Sequence, residues 1–430
     1  MQALRSVARG PLVRGVAVVS GGTAVAQLVT VLVSPITSRQ YGPDAYGVAN
    51  VFLSLAGILS PLAGLTYGYA VVIPKEDTDA LTLARIAAWS SVAVAAAVVV
   101  VVGVLNGQIA ALASFSGPEW LLLALAPAVL FAGLSTVLSQ WLIRKRRFRT
   151  LGGLSAGQSL AVNGARVLLG LAVPTAWVLV AVSVLGSAFY SVVAWFGARP
   201  SLRDARPSRS SVPPRPWRET ARRYRDFPLY REPQMLLNAV SANLPVILLG
   251  AFFGPAIPGL YGLARNVVSL PGRLISDSVS KVVLPHAAEA AQRGESLRPL
   301  VARTTMLLMA IGVVPFGTVV LLGPWLFGVV FGQDWSTAGE YARWLSLWAF
   351  FAFANPPSVQ VVPLLGLQAW FLVYEVGLTA ARVVAIVVGA EVLGGSLAAV
   401  ALFSVVGVVA NLVLIASVTV ASARLRRPGI

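Results

Sequence analysis

The sequence predicts an all-α integral membrane protein of about twelve transmembrane helices, and three observations carry that reading. Of 430 residues, 57% are hydrophobic and only 11% charged, with a mean hydropathy of +0.79, against roughly 45–50% apolar and about 25% charged in soluble domains. Cutting the chain at its charged and Pro/Gly-rich clusters leaves stretches of the ~20 apolar residues that cross ~30 Å of hydrocarbon. These stretches are continuously apolar, as over 92–102, whereas a barrel strand alternates over ~10 residues. A soluble enzyme is excluded.

In chain order the spans fall at 15–37, 47–72, 82–105, 119–142, 151–172, 175–198, 235–253, 258–284, 300–323, 341–366, 369–390 and 395–421. The first is longer than a signal-peptide h-region and lacks a small-residue cleavage site, so it is expected to be retained. Lys75 and Arg85 flank the turn after the second span, and Arg144, Lys145, Arg146, Arg147 and Arg149 divide the fourth from the fifth. After the sixth comes Arg199 to Arg231, rich in Arg, Pro and Ser. It is expected to be a cytoplasmic linker (199–231) between an N-terminal six-helix lobe (1–198) and a C-terminal one (232–430). Its segment WRETARRYRDF places Trp217, Ala221 and Tyr224 on one helical face, which suits either a helix on an anionic leaflet or a solvated loop. Lys281 stands near the end of the eighth span, Arg293, Arg298 and Arg303 come after it, and Arg424, Arg426 and Arg427 follow the twelfth. With Arg5, Arg9 and Arg14, the connections on this side hold 27 of the 33 Lys and Arg, while the other side holds Arg39 and Arg343. The positive-inside rule then puts the arginine-rich side, with both termini, in the cytoplasm. The net charge of +17 is thus a membrane-facing distribution, and no nucleic-acid partner is expected.

Chemistry that needs reactive side chains has little to work with. Cysteine is absent and His286 is the one histidine, so a thiolate metal site has no ligands and a Ser/His/Asp triad would have to use His286, which has no GxSxG motif near it. Neither enzymatic activity nor a resident metal or cofactor is expected.

The halves repeat one another. Tyr41-Gly42-Pro43 matches Phe253-Gly254-Pro255, YGVANVFLSL from Tyr46 matches YGLARNVVSL from Tyr261, and Val71-Val72-Ile73-Pro74 matches Val282-Val283-Leu284-Pro285, at offsets of 212, 215 and 211. Both copies enter from the same side, so the repeats are parallel, an arrangement found in transporters.

Polar residues recur at helical steps. The first span carries Ser20, Thr23, Gln27, Thr30, Ser34 and Thr37; the fifth Ser155, Ser159, Asn163 and Arg166; the seventh Gln234, Asn238 and Ser241; the eighth Asn266, Ser269, Arg273, Ser276 and Ser280. Such stripes suit a hydrated cavity or ordinary helix packing through small polar residues. Charges within spans are Arg166, Arg265, Arg273, Asp277, Glu375 and Arg382, each costing at least about 2.5–3.5 kcal/mol unless it meets water or a partner. Asp277 could neutralise Arg273 or Lys281, and Glu375 could neutralise Arg382. Yet four arginines outnumber two carboxylates, and guanidinium forks match phosphate geometry.

RQYGPDAYG at Arg39, ILSPLAGLTYGYAVVIPK at Ile58, FPLYREPQMLLNAVSANLPVILLGAFFGP at Phe227, GLYGLARNVVSLP at Gly259 and FGQDWSTAGEYARWL at Phe331, in this order, resemble the oligosaccharide (Wzx-type) flippases of the multidrug/oligosaccharidyl-lipid/polysaccharide exporter superfamily. Arg231-Glu232 departs from the small or polar residues expected after FPLY. The resemblance implies two six-helix lobes around a central cavity in the bacterial cytoplasmic membrane. It also implies alternating access that moves undecaprenyl-diphosphate-linked oligosaccharide to the outer leaflet, with membrane lipids, a polysaccharide polymerase and chain-length machinery as partners. In that role diphosphate binding falls to Arg39, Arg166, Arg265, Arg273 and Arg382, sugar contacts to Gln27, Asn50, Gln234 and Asn238, and Na⁺ or H⁺ coupling to Asp277 and Glu375. The alternatives are a multidrug antiporter or lipid II flippase of the same superfamily and, from another class, a membrane glycosyltransferase or polymerase using Asp44, Asp334, Glu340 or Glu391.

Overall fold

The computed structural model describes residues 11–205 and 215–424, and their side chains except at 11–17, 273–282, Pro285 and Arg424. All twelve stretches expected from the sequence are helical over most of their length, and no strand occurs among the described residues. Eight helical stretches are long and apolar enough to cross a membrane, one of them, Val18–Gly64, holding the first two spans. Of the other three, the eighth is broken near Ser269 into two helices, the first only 13 residues long, while the fifth carries Asn163 and Arg166 and the tenth Glu340 and Arg343. The chain is an all-α, multi-pass membrane protein.

It divides into two compact units, 1–251 and 252–430. In the first, α1 (Pro11–Leu59) kinks at Gly42, with φ 69° and ψ 170° ahead of Pro43. Glycine enters this left-handed region without a Cβ penalty, and proline has no N–H to donate to the helix ladder. Gly254, its partner in the repeat, has φ 82°, so both copies of the tripeptide use the same device. The second span is not the continuous helix expected over 47–72. After Leu59 a 3-10 turn covers Pro61–Gly64, Leu65 and Thr66 take φ of 45° and 53°, and the short α2 (Tyr67–Ala70) follows. Pro61 ends the ladder, and non-glycine residues held left-handed cost of order 1–3 kcal/mol each, a conformation that surrounding structure must enforce.

Next come α3 (Asp77–Leu112), α4 (Leu125–Arg144), α5 (Phe148–Ala172) and α6 (Ala176–Asp204). Arg144 ties the end of α4 to the turn ahead of α3, donating to Asp77 Oδ1 at 2.9 Å and to the Val71 carbonyl at 3.3 Å. Trp141, fully buried, donates from Nε1 to Ser201 Oγ at 3.0 Å and anchors a core that includes Leu83, Leu142 and Val71. Between α1 and α5 the approach is backbone on backbone: a Cβ on Gly22 would lie 2.3 Å from the Gly152 carbonyl oxygen. Lipid supplies no hydrophobic drive between helices, so small residues that permit close packing do the work.

The described part of the linker is largely helical. In α7 (Trp217–Arg223) Thr220 is buried, and Ala221 and Tyr224 pack on the core of the first unit, where Tyr67 Oη donates to the Ala221 carbonyl at 3.3 Å. Trp217 is 63% exposed, so the face expected to act as one is split between core and surroundings. A π-helical turn, Phe227–Arg231, leads into α8 (Glu232–Phe253), which lies with the first unit through Ala251.

The second unit contains α9 (Ala256–Val268), α10 (Leu270–Gln292), α11 (Arg298–Phe331), α12 (Ser336–Ala354), α13 (Pro356–Val361), α14 (Gln368–Glu391) and α15 (Ser396–Ala421). The eighth span is therefore two helices meeting at Ser269, ahead of Pro271. Gly323 and Gly339 give α11 and α12 a crossing as close as that in the first unit, with a Cβ on Gly339 falling 2.5 Å from the Gly323 carbonyl oxygen. Val301, Val361, Leu414 and Val418 form its core. Leu and Val side chains such as Val104, Leu171, Val314 and Leu321 stand exposed, as the lipid-facing surface of a membrane protein requires.

Candidate functional site

In the first unit the stripes of the first and fifth spans meet. Asn163 donates from Nδ2 to Thr30 Oγ1 at 3.1 Å, Ser159 Oγ donates to the Ala26 carbonyl at 2.7 Å, and Thr30 Oγ1 and Ser159 Oγ lie 3.3 Å apart. Here packing is what the polar face serves. Arg166 is half-buried further along α5. It donates from Nη2 to Ser183 Oγ at 2.9 Å, its carbonyl accepts from Tyr41 Oη at 2.7 Å, and its charge faces Tyr41 and Tyr46. Its Nε is buried without a hydrogen-bond partner, and no carboxylate lies within 4 Å among the described residues.

The other expected site residues of this unit are more dispersed. Gln27 and Asn50 are half-buried on either side of the Gly42 kink, Arg39 is exposed just before it, and Gln234 and Asn238 are exposed one turn apart on α8.

In the second unit two of the expected arginines converge. Arg265 lines a cavity of about 300 Å³ together with Ser269, Gly272, Phe316, Leu345 and Trp348. The Arg382 guanidinium lies 5.4 Å from the ring centroids of both Trp348 and Phe403, rings that themselves stand 5.7 Å apart. Tyr261, 1% exposed, packs edge-on against Phe403 and feels the charge of both Arg265 and Arg382. Arg382 keeps a buried Nε without a hydrogen-bond partner. Glu375, seven residues earlier on α14, is half-buried and within electrostatic range but forms no ion pair with Arg382. The side chains of Arg273 and Asp277 lie outside the described residues.

The repeat extends into this chemistry. Arg166 and Arg382 are offset by 216 residues and their tyrosines, Tyr46 and Tyr261, by 215; in each half of the repeat an arginine of the fifth span faces the tyrosine that opens the matched YG motif. The cage of Trp348, Phe403 and Tyr261 was not legible in the sequence, because its members come from three separated helices. A guanidinium between aromatic rings keeps its charge in a dry setting while leaving N–H groups to donate to an anion. No three His, Cys, Asp or Glu gather as metal ligands among the described residues.

The family model for polysaccharide biosynthesis proteins matches residues 36–340. Among curated proteins, 112 residues are 27% identical to the teichuronic acid biosynthesis protein TuaB of Bacillus subtilis (strain 168), covering 26% of this chain and 23% of that one. A stretch of 114 residues is 22% identical to the amylovoran biosynthesis protein AmsL of Erwinia amylovora, covering 26% and 29%. The chain thus spans about a quarter of the length of these relatives. Among solved structures, the inward-facing form of a multidrug resistance MATE family transporter of the MOP superfamily superposes with a TM-score of 0.72 at 13% identity over 94% of this chain and 96% of that one. The lipid II flippase MurJ, in its inward closed conformation, gives 0.72 at 13% over 92% and 86%. At this identity the likeness is one of fold.

Proposed function

This chain belongs to the polysaccharide biosynthesis protein family, and from that premise we propose that it is a flippase which moves a lipid-diphosphate-linked oligosaccharide from the inner to the outer leaflet of the bacterial cytoplasmic membrane, by alternating access. The observation that carries the reading is the repeated pair Arg166 and Arg382, each half-buried in a span, each with an Nε that no acceptor satisfies, and neither with a carboxylate in ion-pair range among the described residues. Positive charge held this way within hydrocarbon depth is costly unless it serves an anion, and a diphosphate offers oxygens at fork spacing.

The glycan head cannot cross hydrocarbon unaided, whereas the isoprenoid tail can remain in lipid. We assign Arg265 at its cavity, and Arg39 and Arg273, to the same anionic headgroup, and Gln27, Asn50, Gln234 and Asn238 to sugar hydroxyls. Asp277 and Glu375 are the carboxylates proposed to couple movement to Na⁺ or H⁺, and no chemical step on the substrate is involved. A multidrug antiporter for cationic compounds would call for carboxylates where these units place arginines. Expression in cells lacking their own flippase tests the proposal. Arg166→Gln and Arg382→Gln should each leave a membrane-inserted protein while the lipid-linked oligosaccharide accumulates on the cytoplasmic leaflet, and full export by both variants would overturn it.

A further inference from the structure

Among the described residues Glu232 is the one charged side chain that is fully buried, at 5% exposure. It opens α8, directly after the π-helical turn. Its carboxylate oxygens and Thr66 Oγ1 make no hydrogen bond of good geometry, and Thr66 is the polar side chain close enough to interact with the carboxylate. Thr66 is the second of the two left-handed residues at the break in the second span. It also lines a cavity of about 210 Å³ with Ser60, Gly64, Tyr69, Thr136 and Met235, which joins the break to space that water or an ion can enter.

Among the described residues, the ionisable Arg231 adjoins Glu232 in the chain and Tyr69 lines the cavity with Thr66. The Arg231 guanidinium is stacked over the Tyr69 ring, 5.1 Å from its centroid, and neither group bonds to Glu232. Among the described residues no cation forms an ion pair with the carboxylate, and a buried ionised carboxylate without a counter-charge is strongly disfavoured.

We propose that Glu232 and Thr66, at the break in the second span, form a binding site for a monovalent cation, H⁺ or Na⁺. One carboxylate balances one positive charge, while a divalent ion would ask for the several oxygens of a cluster that is absent among the described residues. Interrupted helices supply backbone carbonyls beside such carboxylates, and this is how ion sites are assembled within membrane-spanning segments. The strained pair Leu65 and Thr66 gives occupancy a structural consequence: an ionised, empty Glu232 draws water to the break, whereas an occupied one lets it close. This extends the coupling part of the proposed function to a residue other than Asp277 and Glu375. Its test uses no substrate, so its failure is distinct from failure of the flippase reading.

Thermal unfolding of the purified full-length protein in detergent reads the site. One series compares NaCl with N-methylglucamine chloride at equal ionic strength and alkaline pH; the other varies pH without Na⁺. For a sodium site the midpoint rises with NaCl and saturates, Glu232→Gln removes the rise, and Thr66→Val, which keeps the carboxylate, raises the half-saturating concentration roughly tenfold, the loss of one good ligand. For a proton site the midpoint is indifferent to NaCl, and Glu232→Gln removes a component of its pH dependence that Thr66→Val shifts along the pH axis. Cation and pH responses that are the same in the unmodified protein, Glu232→Gln and Thr66→Val overturn the proposal.

Discussion

Replacing Arg382 with glutamine separates a ligand-binding arginine from a structural one. In the folded protein its guanidinium meets two rings at 5.4 Å, and a desolvated cation–π contact contributes up to about 2 kcal/mol. Removing a buried charge whose Nε is unsatisfied offsets part of that loss, because the same group is costly to bury. The net change in stability should then be no more than about 1–2 kcal/mol, within the usual range of single substitutions. Binding should suffer more. A hydrogen bond to a charged group contributes about 1.5–3 kcal/mol, and each 1.4 kcal/mol is tenfold, so affinity for a lipid diphosphate should drop about 10- to 150-fold. Arg382→Lys keeps the charge without the fork and should fall between. Fluorescence titration of purified protein with a labelled lipid diphosphate, alongside thermal unfolding of the same preparations, measures both quantities. Unchanged affinity in Arg382→Gln, accompanied by a large fall in stability, would refute the reasoning and make the arginine part of the cage alone.

Gly22→Ala places a Cβ 2.3 Å from the Gly152 carbonyl oxygen, so the first and fifth spans must separate. Overpacking of this kind costs about 1–3 kcal/mol, to be read as a lower unfolding midpoint, whereas the same change at Gly21, which meets nothing within 4 Å, should be mild. A cysteine introduced at Ser210, in a chain that has none of its own, should resist impermeant reagents in intact cells and react after permeabilisation; labelling from outside would reverse the orientation read from the arginines. Glu375→Gln should leave binding of the lipid diphosphate intact and remove the dependence of its movement on an imposed Na⁺ or pH gradient, an outcome measured in proteoliposomes. Loss of folding instead would mark Glu375 as a permanent counter-charge to Arg382.

Hydropathy carried the membrane fold because it is a property of single helices. The first-pair repeat was equally legible, and Gly42 and Gly254, matched in its tripeptides, share a positive φ. What the sequence concealed depends on contacts between distant segments. The equivalence of Arg166 and Arg382 lies in fifth helices with no matching run, and it becomes visible only when each is seen facing its tyrosine. The break in the second span was not read from the sequence, since two consecutive left-handed residues, neither of them glycine, follow no local rule. The stripe over Thr30, Ser159 and Asn163 read equally well as cavity or interface, and only the interhelical hydrogen bonds decide for packing at these three positions. Glu232 was visible as a departure from its motif, while its burial beside Thr66 depends on where the linker delivers α8.

The central claim is movement of a lipid-diphosphate-linked oligosaccharide, and its most direct measurement is transbilayer exchange in proteoliposomes. A fluorescent lipid-diphosphate-oligosaccharide is placed in both leaflets, and an impermeant quencher reports the outer fraction over time. The account predicts that the purified protein makes the inner pool accessible, that Arg166→Gln and Arg382→Gln slow this markedly, and that a neutral glycolipid lacking the diphosphate is not moved. An inner pool that stays protected, with the same protein driving efflux of cationic drugs, would contradict it.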